Sequence, residues 1–251
     1  MGTLAGRRAL VSGASSGIGA AISRTLAAEG ASLLLVARDR ARLDGVAAAI
    51  GPAAEVMLCD VTDEAAVAAL AQRAGELDVL VNNAGAVESA PLASCETAVW
   101  RRMLDVNATS AFLLCRAFAP AMARRGAGRI VNVASTAGER GYPYVSGYCA
   151  AKHAVVGLTR SLALELAGHG VTVNAVCPGY TETPLLERAV EHIVASTRHD
   201  SDSARHALLE GNALGRFVTP DEVASAVAWL CAPAQAAVTG RTITVAGAEV
   251  V

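Results

Sequence analysis

Residues 7–19 limit the chain to a small group of folds, because a short apolar strand runs directly into a glycine-rich turn and a helix. Residues 7–12 predict a buried strand, and a helical pattern continues from the turn to Glu29. The turn, Gly13-Ala14-Ser15-Ser16-Gly17-Ile18-Gly19, permits close backbone approach, and the helix start offers N–H groups to a pyrophosphate. The spacing is G-x-x-x-G-x-G rather than G-x-G-x-x-G. A flexible glycine and serine loop is the alternative interpretation.

Apolar strands and helical patterns alternate over the rest of the chain. This alternation predicts an α/β fold, a single-domain, doubly wound, Rossmann-like parallel sheet of about seven strands with helices on both faces. No linker or repeat divides residues 1–251. The polar stretch 180–215 predicts two short helices that form a substrate lid. Further strands are expected at 32–37, 55–59, 78–81, 128–134, 171–177 and 241–245, and helices at 96–125, 147–166 and 220–230.

Composition excludes several kinds of partner. The formal net charge is −2 with no basic block, which argues against nucleic acid or anionic lipid as the main partner. No run of about 18 apolar residues predicts a membrane span. The six cysteines are scattered without a C-x-x-C pair, so we interpret them as reduced thiols, with no disulfide framework and no metal site. These features predict a soluble, cytoplasmic protein.

Tyr148 and Lys152 carry the predicted chemistry. They lie four residues apart in the predicted helix 147–166, so their side chains should share one face. A fixed cation beside a tyrosine favours the phenolate and lowers the pKa from about 10. Such a phenol could exchange a proton with an alcohol or ketone oxygen near neutral pH. A packed tyrosine beside an exposed lysine is the alternative, because Tyr-x-x-x-Lys occurs by chance in many helices.

The end of the second strand indicates the choice of cofactor. NAD-binding sheets usually place a carboxylate there, whereas an arginine suits the 2′-phosphate of NADP. Position 37 is alanine and Arg38 follows it, so the sequence favours NADP(H), with Arg42 and Ser12 as possible helpers. A solvated arginine at a strand end is the alternative. Asp60, after the third strand, either bonds the adenine amino group or caps the helix near Asp63.

In order along the chain, these features resemble the short-chain dehydrogenase/reductase superfamily. The matching segments are the glycine turn, Asn82-Asn83-Ala84-Gly85, Asn107, Ser135, Tyr148-x-x-x-Lys152 and Pro178-Gly179 with Thr183. Each is a weak signal alone, but the ordered set is specific. The segments after Ser135 and around Pro178 look most similar to bacterial β-ketoacyl and polyketide ketoreductases and to 3-hydroxyacyl or 3-hydroxybutyrate dehydrogenases.

The resemblance implies a role for each matching residue. Tyr148 would be the general acid or base, Lys152 would lower its pKa, and Ser135 would bind the substrate oxygen. Asn107 would support a water that links Lys152 to solvent, or it is simply a buried asparagine that satisfies backbone groups. The implied cofactor-binding residues are Gly13, Ser15, Ser16, Gly17, Ile18, Gly19, Arg38, Asp60, Val61, Asn83, Ala84, Gly85, Tyr148, Lys152, Pro178, Gly179, Thr181 and Thr183.

The resemblance also implies an activity and an assembly. We expect an NADPH-preferring enzyme that interconverts a ketone and a secondary alcohol. The expected substrate is a β-ketoacyl compound such as an acyl thioester, and the expected assembly is a homotetramer. An NAD(H)-dependent dehydrogenase of a cyclic or hydroxy-acid alcohol is one alternative, and a non-catalytic dinucleotide-binding protein is another.

Thr181 replaces a usual Ile or Val, and residues 245–249 lack the common Asp-Gly-Gly. The expected pocket residues are Glu139, Arg140, Tyr142, Tyr144 and Leu185 or Leu186.

Overall fold

The computed structural model describes residues 2–198 and 200–250. Within these residues, seven strands form one parallel sheet. Numbered along the chain they are β1 (Arg8–Ser12), β2 (Ser32–Ala37), β3 (Ala54–Leu58), β4 (Val79–Asn82), β5 (Gly128–Val133), β6 (Val171–Pro178) and β7 (Thr242–Val245). Their order across the sheet is β3-β2-β1-β4-β5-β6-β7, which confirms the predicted fold class.

Helices connect successive strands. The element bounds are α1 (Gly17–Ala28), α2 (Arg40–Ile50), α3 (Glu64–Ala74), α4 (Thr97–Leu104), α5 (Ser110–Arg125), α6 (Ser146–Leu166), α7 (Pro184–Ser196), α8 (Ser201–Leu209) and α9 (Pro220–Cys231).

Alternate strand residues build two apolar layers, one on each face of the sheet. On one face, residues such as Val11 and Leu35 pack against α1, α2 and α9. On the other face, residues such as Leu10 and Leu34 pack against α3, α5 and α6. Both faces are covered, which explains why the strands are almost continuously apolar in sequence.

The predicted helix 96–125 is helical from Thr97 to Arg125, but it is not regular throughout. A π-helical segment, Asp105–Thr109, separates α4 from α5. The buried side chain of Asn107 donates to the backbone oxygen of Met103 at 3.0 Å, and this bond competes with the regular helical pattern. The interruption therefore lies at a residue that the sequence had marked for function.

Residues 180–215 contain α7 and α8, which are the two helices expected there. Thr183 caps α7 by accepting from the N–H of Leu186 at 3.4 Å. A parallel bridge joins Thr181 to Val218 beyond the insertion. The role of this segment as a lid stays a prediction.

Candidate active site

The carboxyl ends of the central strands meet at one edge of the sheet, where the predicted residues come together. β1 leads into the glycine turn, β4 into Asn83, β5 towards Ser135 and β6 into Gly179. The strand order reverses between β1 and β4, and open α/β sheets bind ligands in the crevice outside such a reversal. This edge is therefore the candidate active site.

The glycine turn leaves the start of α1 open to an anion. Ser16, the N-cap, makes no side-chain capping bond, and the first turn of α1 has no acidic residue. By contrast, Asp39 and Asp63 cap α2 and α3. Open N–H groups and the helix dipole therefore favour a negatively charged ligand here. The partly exposed residues of this turn are Gly13, Ser15, Ser16, Gly17 and Ile18.

Close packing fixes the glycine turn against the end of β4. A Cβ at Gly19 would lie 2.2 Å from the backbone oxygen of Gly13, so only glycine fits. Asn83 Nδ2 donates to the oxygens of Ser12 and Gly13 at 3.0 and 3.2 Å. The Ser12 hydroxyl accepts from the N–H groups of Asn83 and Ala84. Because Ser12 is fully buried in this role, the prediction that it helps Arg38 is wrong.

Arg38 lies exposed at the end of β2, and Asp60 lies near it. Arg38 Nη1 is 3.7 Å from Asp60 Oδ2, and 76% of the arginine side chain is exposed. Asp60 Oδ1 accepts from the backbone N–H and the hydroxyl of Thr62, and these bonds lower the pKa of Asp60. Arg42 pairs instead with Asp39 at 3.3 Å. Arg38 is thus held only loosely by the protein.

The alternative role of Asp60 as a helix cap is wrong. Asp63 caps α3 by accepting from the N–H groups of Ala65 and Ala66. The side chain of Val61 is buried in the apolar layer, so only its backbone could contact a cofactor.

Lys152 is buried and is the only lysine in the chain. Its Nζ donates to the backbone oxygen of Val133 at 2.9 Å and lies 5.6 Å from the ring centroid of Tyr148. Within the described residues, no other acceptor bonds this ammonium and no carboxylate pairs with it. Burial lowers the pKa of Lys152 to about 8. Two of its donors are therefore left for a ligand.

Tyr148 and Ser135 lie close enough to interact. The Ser135 hydroxyl lowers the pKa of Tyr148, but burial is the larger effect and raises that pKa to about 12. The net shift is thus upward for the groups of the chain itself, and the lowering of this pKa by Lys152 stays a prediction. Ser135 is held in place because its Oγ accepts from the N–H of Ala137 at 3.1 Å.

The side chain of Asn107 hydrogen-bonds to backbone groups. Its Nδ2 donates to the oxygens of Ala86 and Met103, and its Oδ1 accepts from the N–H of Ala86. This matches the alternative that it satisfies backbone groups. A Cβ at Gly85 would lie 2.7 Å from Asn107 Oδ1 and 3.6 Å from Lys152 Nζ, so these three residues are close neighbours.

The loop after β6 closes against the glycine turn. A Cβ at Gly17 would lie 3.1 Å from Thr183 Cγ2. The hydroxyl of Thr183 donates to the oxygen of Thr181 at 3.2 Å, and the hydroxyl of Thr181 donates to the oxygen of Gly179. Pro178, the last residue of β6, is buried and pairs with Val245. The cofactor-binding residues predicted after β6 therefore lie beside those predicted in the glycine turn.

Sequence reasoning missed Tyr180 and Glu249. Tyr180 is near enough to Tyr148 to raise its pKa, and Glu249 is a buried carboxylate that interacts with Tyr180. The departure of residues 245–249 from Asp-Gly-Gly was the available signal for Glu249. Arg140 and Tyr142 were predicted near the pocket, and both bond Glu249.

Neither a metal-binding cluster nor a membrane-spanning helix is found among the described residues. Among residues 2–198 and 200–250, no three His, Cys, Asp or Glu side chains are arranged to hold a metal ion. In the same part of the chain, no helix has the length and hydropathy needed to cross a bilayer.

Residues 7–193 match the sequence pattern of the short chain dehydrogenase family. The chain belongs to this family and is a nicotinamide-dependent oxidoreductase that interconverts a ketone and a secondary alcohol by hydride transfer.

Several named relatives span nearly all of the chain. The crystal structure of an actinorhodin polyketide ketoreductase variant with NADPH is 40% identical, covers 98% of both chains and has a TM-score of 0.90. The 3-oxoacyl-[acyl-carrier-protein] reductase FabG of Vibrio cholerae serotype O1 is 38% identical, with 97% of each chain covered. The D-beta-hydroxybutyrate dehydrogenase of Rhizobium meliloti is 36% identical over 96% of this chain and 97% of that protein.

Proposed function

We propose that the protein reduces a β-ketoacyl compound to the β-hydroxyacyl product with NADPH. The observation that carries the proposal is that Ser135, Tyr148 and Lys152 lie together beside an uncapped, glycine-rich helix start. The relatives support the substrate class, because a polyketide ketoreductase and a 3-oxoacyl reductase are among them.

Tyr148 is suited to donate a proton to the substrate oxygen. Because burial raises its pKa to about 12, the phenol stays protonated through the neutral range. In reduction, Tyr148 would protonate the carbonyl oxygen while Ser135 hydrogen-bonds the same oxygen and stabilises the developing charge. In oxidation the same phenol, once deprotonated, would accept the proton of the alcohol.

The glycine turn and the 178–183 loop would hold the cofactor. The close approaches at Gly13 and Gly19 suit a ligand that lies directly on the backbone. Lys152 would bind ribose hydroxyls through its two unpaired donors. When bound, the dihydronicotinamide supplies a hydride to the carbonyl carbon. The other proposed contacts are Ser15, Ser16, Gly17, Ile18, Arg38, Asp60, Val61, Asn83, Ala84, Gly85, Tyr148, Pro178, Gly179, Thr181 and Thr183.

Asn107 would act indirectly. By bonding Ala86 and Met103 it holds the π-helical segment next to Gly85 and Lys152. A water bound at this widened segment would link Lys152 to solvent, so that the proton that Tyr148 gives to the substrate would be replaced from solvent through Lys152 after each turnover.

Arg38 would select NADPH over NADH. Its guanidinium is exposed, and its single ion pair with Asp60 is long, so it can turn towards a 2′-phosphate at little cost. Asp60 would then contact the adenine, as the sequence predicted. An NAD(H)-dependent dehydrogenase of a cyclic or hydroxy-acid alcohol is the second candidate, and the hydroxybutyrate dehydrogenase relative supports a hydroxy acid as the substrate.

Truncating Arg38 separates these two candidates. We expect Arg38→Ala to raise the KM for NADPH by about 10- to 100-fold, because a charge-assisted hydrogen bond to the phosphate is lost. The KM for NADH should change little. Arg24→Ala is the matched control, since Arg24 is also an exposed arginine with one long ion pair. An unchanged KM for NADPH in Arg38→Ala would contradict the cofactor assignment.

The assembly and the lid are part of the same proposal. Exposed apolar side chains on α4, α5 and α6, namely Trp100, Phe112 and Leu164, suit a homotetramer built on these helices. Residues 180–215 would cover the substrate as a lid of the single domain.

The substrate class is tested with acetoacetyl-CoA as the ketone. We expect NADPH to be oxidised clearly faster than NADH in paired assays. Absence of turnover with both, in protein that still binds NADPH by fluorescence, would refute the β-ketoacyl assignment and direct the search to cyclic or aromatic alcohols.

A further inference from the structure

A buried carboxylate follows β7, close to the candidate active site. The side chain of Glu249 is only 2% exposed. Its Oε1 accepts from Arg140 Nη2 at 3.1 Å and from the hydroxyl of Tyr142. Arg140 Nη1 also donates to the backbone oxygen of Glu249 at 3.1 Å, and its guanidinium lies 4.5 Å from the Tyr142 ring centroid. Charge-assisted bonds of this kind are stronger than neutral ones.

One side of this cluster reaches the turn that holds Ser135. The hydroxyl of Tyr142, which donates to Glu249, lies 2.7 Å from the hydroxyl of Thr136. Thr136 begins the short 3₁₀ turn Thr136–Gly138, and Ser135 is its N-cap. A chain of hydrogen bonds therefore runs from Glu249 through Tyr142 to the residue next to Ser135.

The other side of the cluster reaches the loop after β6. Glu249 Oε2 is buried without a hydrogen-bond partner among the described residues, and a Cβ at Gly179 would lie only 2.5 Å from it. The ring of Tyr142 meets the ring of Tyr180 edge to face at 6.2 Å. Glu249 thus reaches the Ser135 turn through Tyr142 and touches the proposed cofactor loop directly at Gly179.

Stability alone does not explain this arrangement. A buried polar atom without a partner is costly, and an apolar side chain of similar volume is often at least as stable as a buried ion pair. Polar groups that hydrogen-bond one another, as Glu249 Oε1 does with Arg140 and Tyr142, nevertheless hold each other in one geometry. The buried carboxylate is therefore better explained by what it positions.

We propose that Glu249 is a positioning residue that holds the Ser135 turn and the 179–183 loop in a fixed relation. It acts through Tyr142 on one side and through direct contact with Gly179 on the other. Its effect on turnover rests on the proposed function, whereas its effect on the two segments does not.

Hydrogen–deuterium exchange of the whole protein tests the positioning without using activity. In Glu249→Gln, amide exchange should rise about tenfold in peptides that cover residues 136–142 and 179–183, because a charge-assisted bond is weakened. Tyr142→Phe should raise exchange in the first segment only. Asp78→Asn is the matched control: Asp78 is a partly buried, arginine-paired carboxylate at the amino end of β4. It should leave both segments unchanged.

Turnover of the same variants supplies the second measurement. We expect Glu249→Gln and Tyr142→Phe to lower kcat about tenfold and the KM for NADPH to rise only in Glu249→Gln. The positioning role would be refuted by unchanged exchange in both segments, or by a rise spread equally over the whole chain. If the wild type turns over no ketone but the exchange pattern holds, the proposed function fails and the positioning role stands.

Discussion

At the scale of single residues, Lys152 carries a buried positive charge, which lowers the stability of the fold and also serves the proposed chemistry. Every other basic residue among the 21 Lys and Arg positions is an arginine, so a lysine at this one buried position is a specific choice. Arginine is larger, presents a planar fork of donors and stays charged in proteins. A compact ammonium whose pKa lies near 8 can instead bind hydroxyls and exchange a proton.

The free-energy cost of burying the charged form of Lys152 predicts that the stability of the protein depends on pH. The folded pKa of about 8 lies below the ordinary 10.5, so below pH 8 both states carry the proton and the fold contains a buried charge. Between about pH 8 and pH 10 the folded state has lost the proton that the unfolded state keeps, and the free energy of unfolding should rise with pH.

Replacing the charge should therefore stabilise the protein and inactivate it. We expect Lys152→Met to raise the free energy of unfolding at pH 7 by up to about 3 kcal/mol, the value of the shift in pKa. The rise of stability above pH 8 should disappear, and turnover should fall by at least about 100-fold. Urea unfolding at pH 7 and pH 9.5 measures both effects. A variant less stable than the wild type at pH 7 would contradict this account of Lys152.

At the scale of elements, the π-helical segment between α4 and α5 connects the fold to the site. Asn107 satisfies three backbone groups there, and its Oδ1 limits position 85 to glycine. We expect Asn107→Ala to lower the free energy of unfolding by at least about 2 kcal/mol, because buried groups lose their partners. Turnover should fall as well, since the segment next to Lys152 is no longer held.

Asn174 supplies a matched control for Asn107. It is buried in β6, and its side chain donates to Val238 and accepts from Arg241. Asn174→Ala should lose comparable stability in urea unfolding but keep its kcat once folded. Equal losses of kcat in the two variants would contradict a specific role for the π-helical segment.

The elements that the sequence could predict are those set by local patterns. Apolar runs marked the strands, and the glycine turn marked the start of α1, because strand burial and tight turns depend on adjacent residues. The π-helical interruption and the site of Glu249 depend on contacts between distant segments, such as Glu249 with Tyr142. The raised pKa of Tyr148 likewise follows from burial, which the i, i+4 spacing with Lys152 does not reveal.

At the scale of the whole molecule, the exposed apolar residues of α5 and α6 predict assembly. Light scattering should give a mass of four times the 25.5 kDa chain. Leu164→Glu should give a smaller species, because Leu164 is 87% exposed on α6 and a buried charge would break the contact. Leu92→Glu, at a similarly exposed leucine outside these helices, is the control. A monomeric wild type would contradict the proposed tetramer.

The candidate active site is also a property of the whole molecule, because it combines residues that follow four different strands. The most direct test is NADPH oxidation with acetoacetyl-CoA by the wild type and by Tyr148→Phe. We expect clear turnover by the wild type and a loss of about 10²- to 10⁴-fold in kcat for the variant, with NADPH binding retained. Near-normal turnover by Tyr148→Phe would contradict the assignment of Tyr148 as the proton donor and, with it, the proposed mechanism.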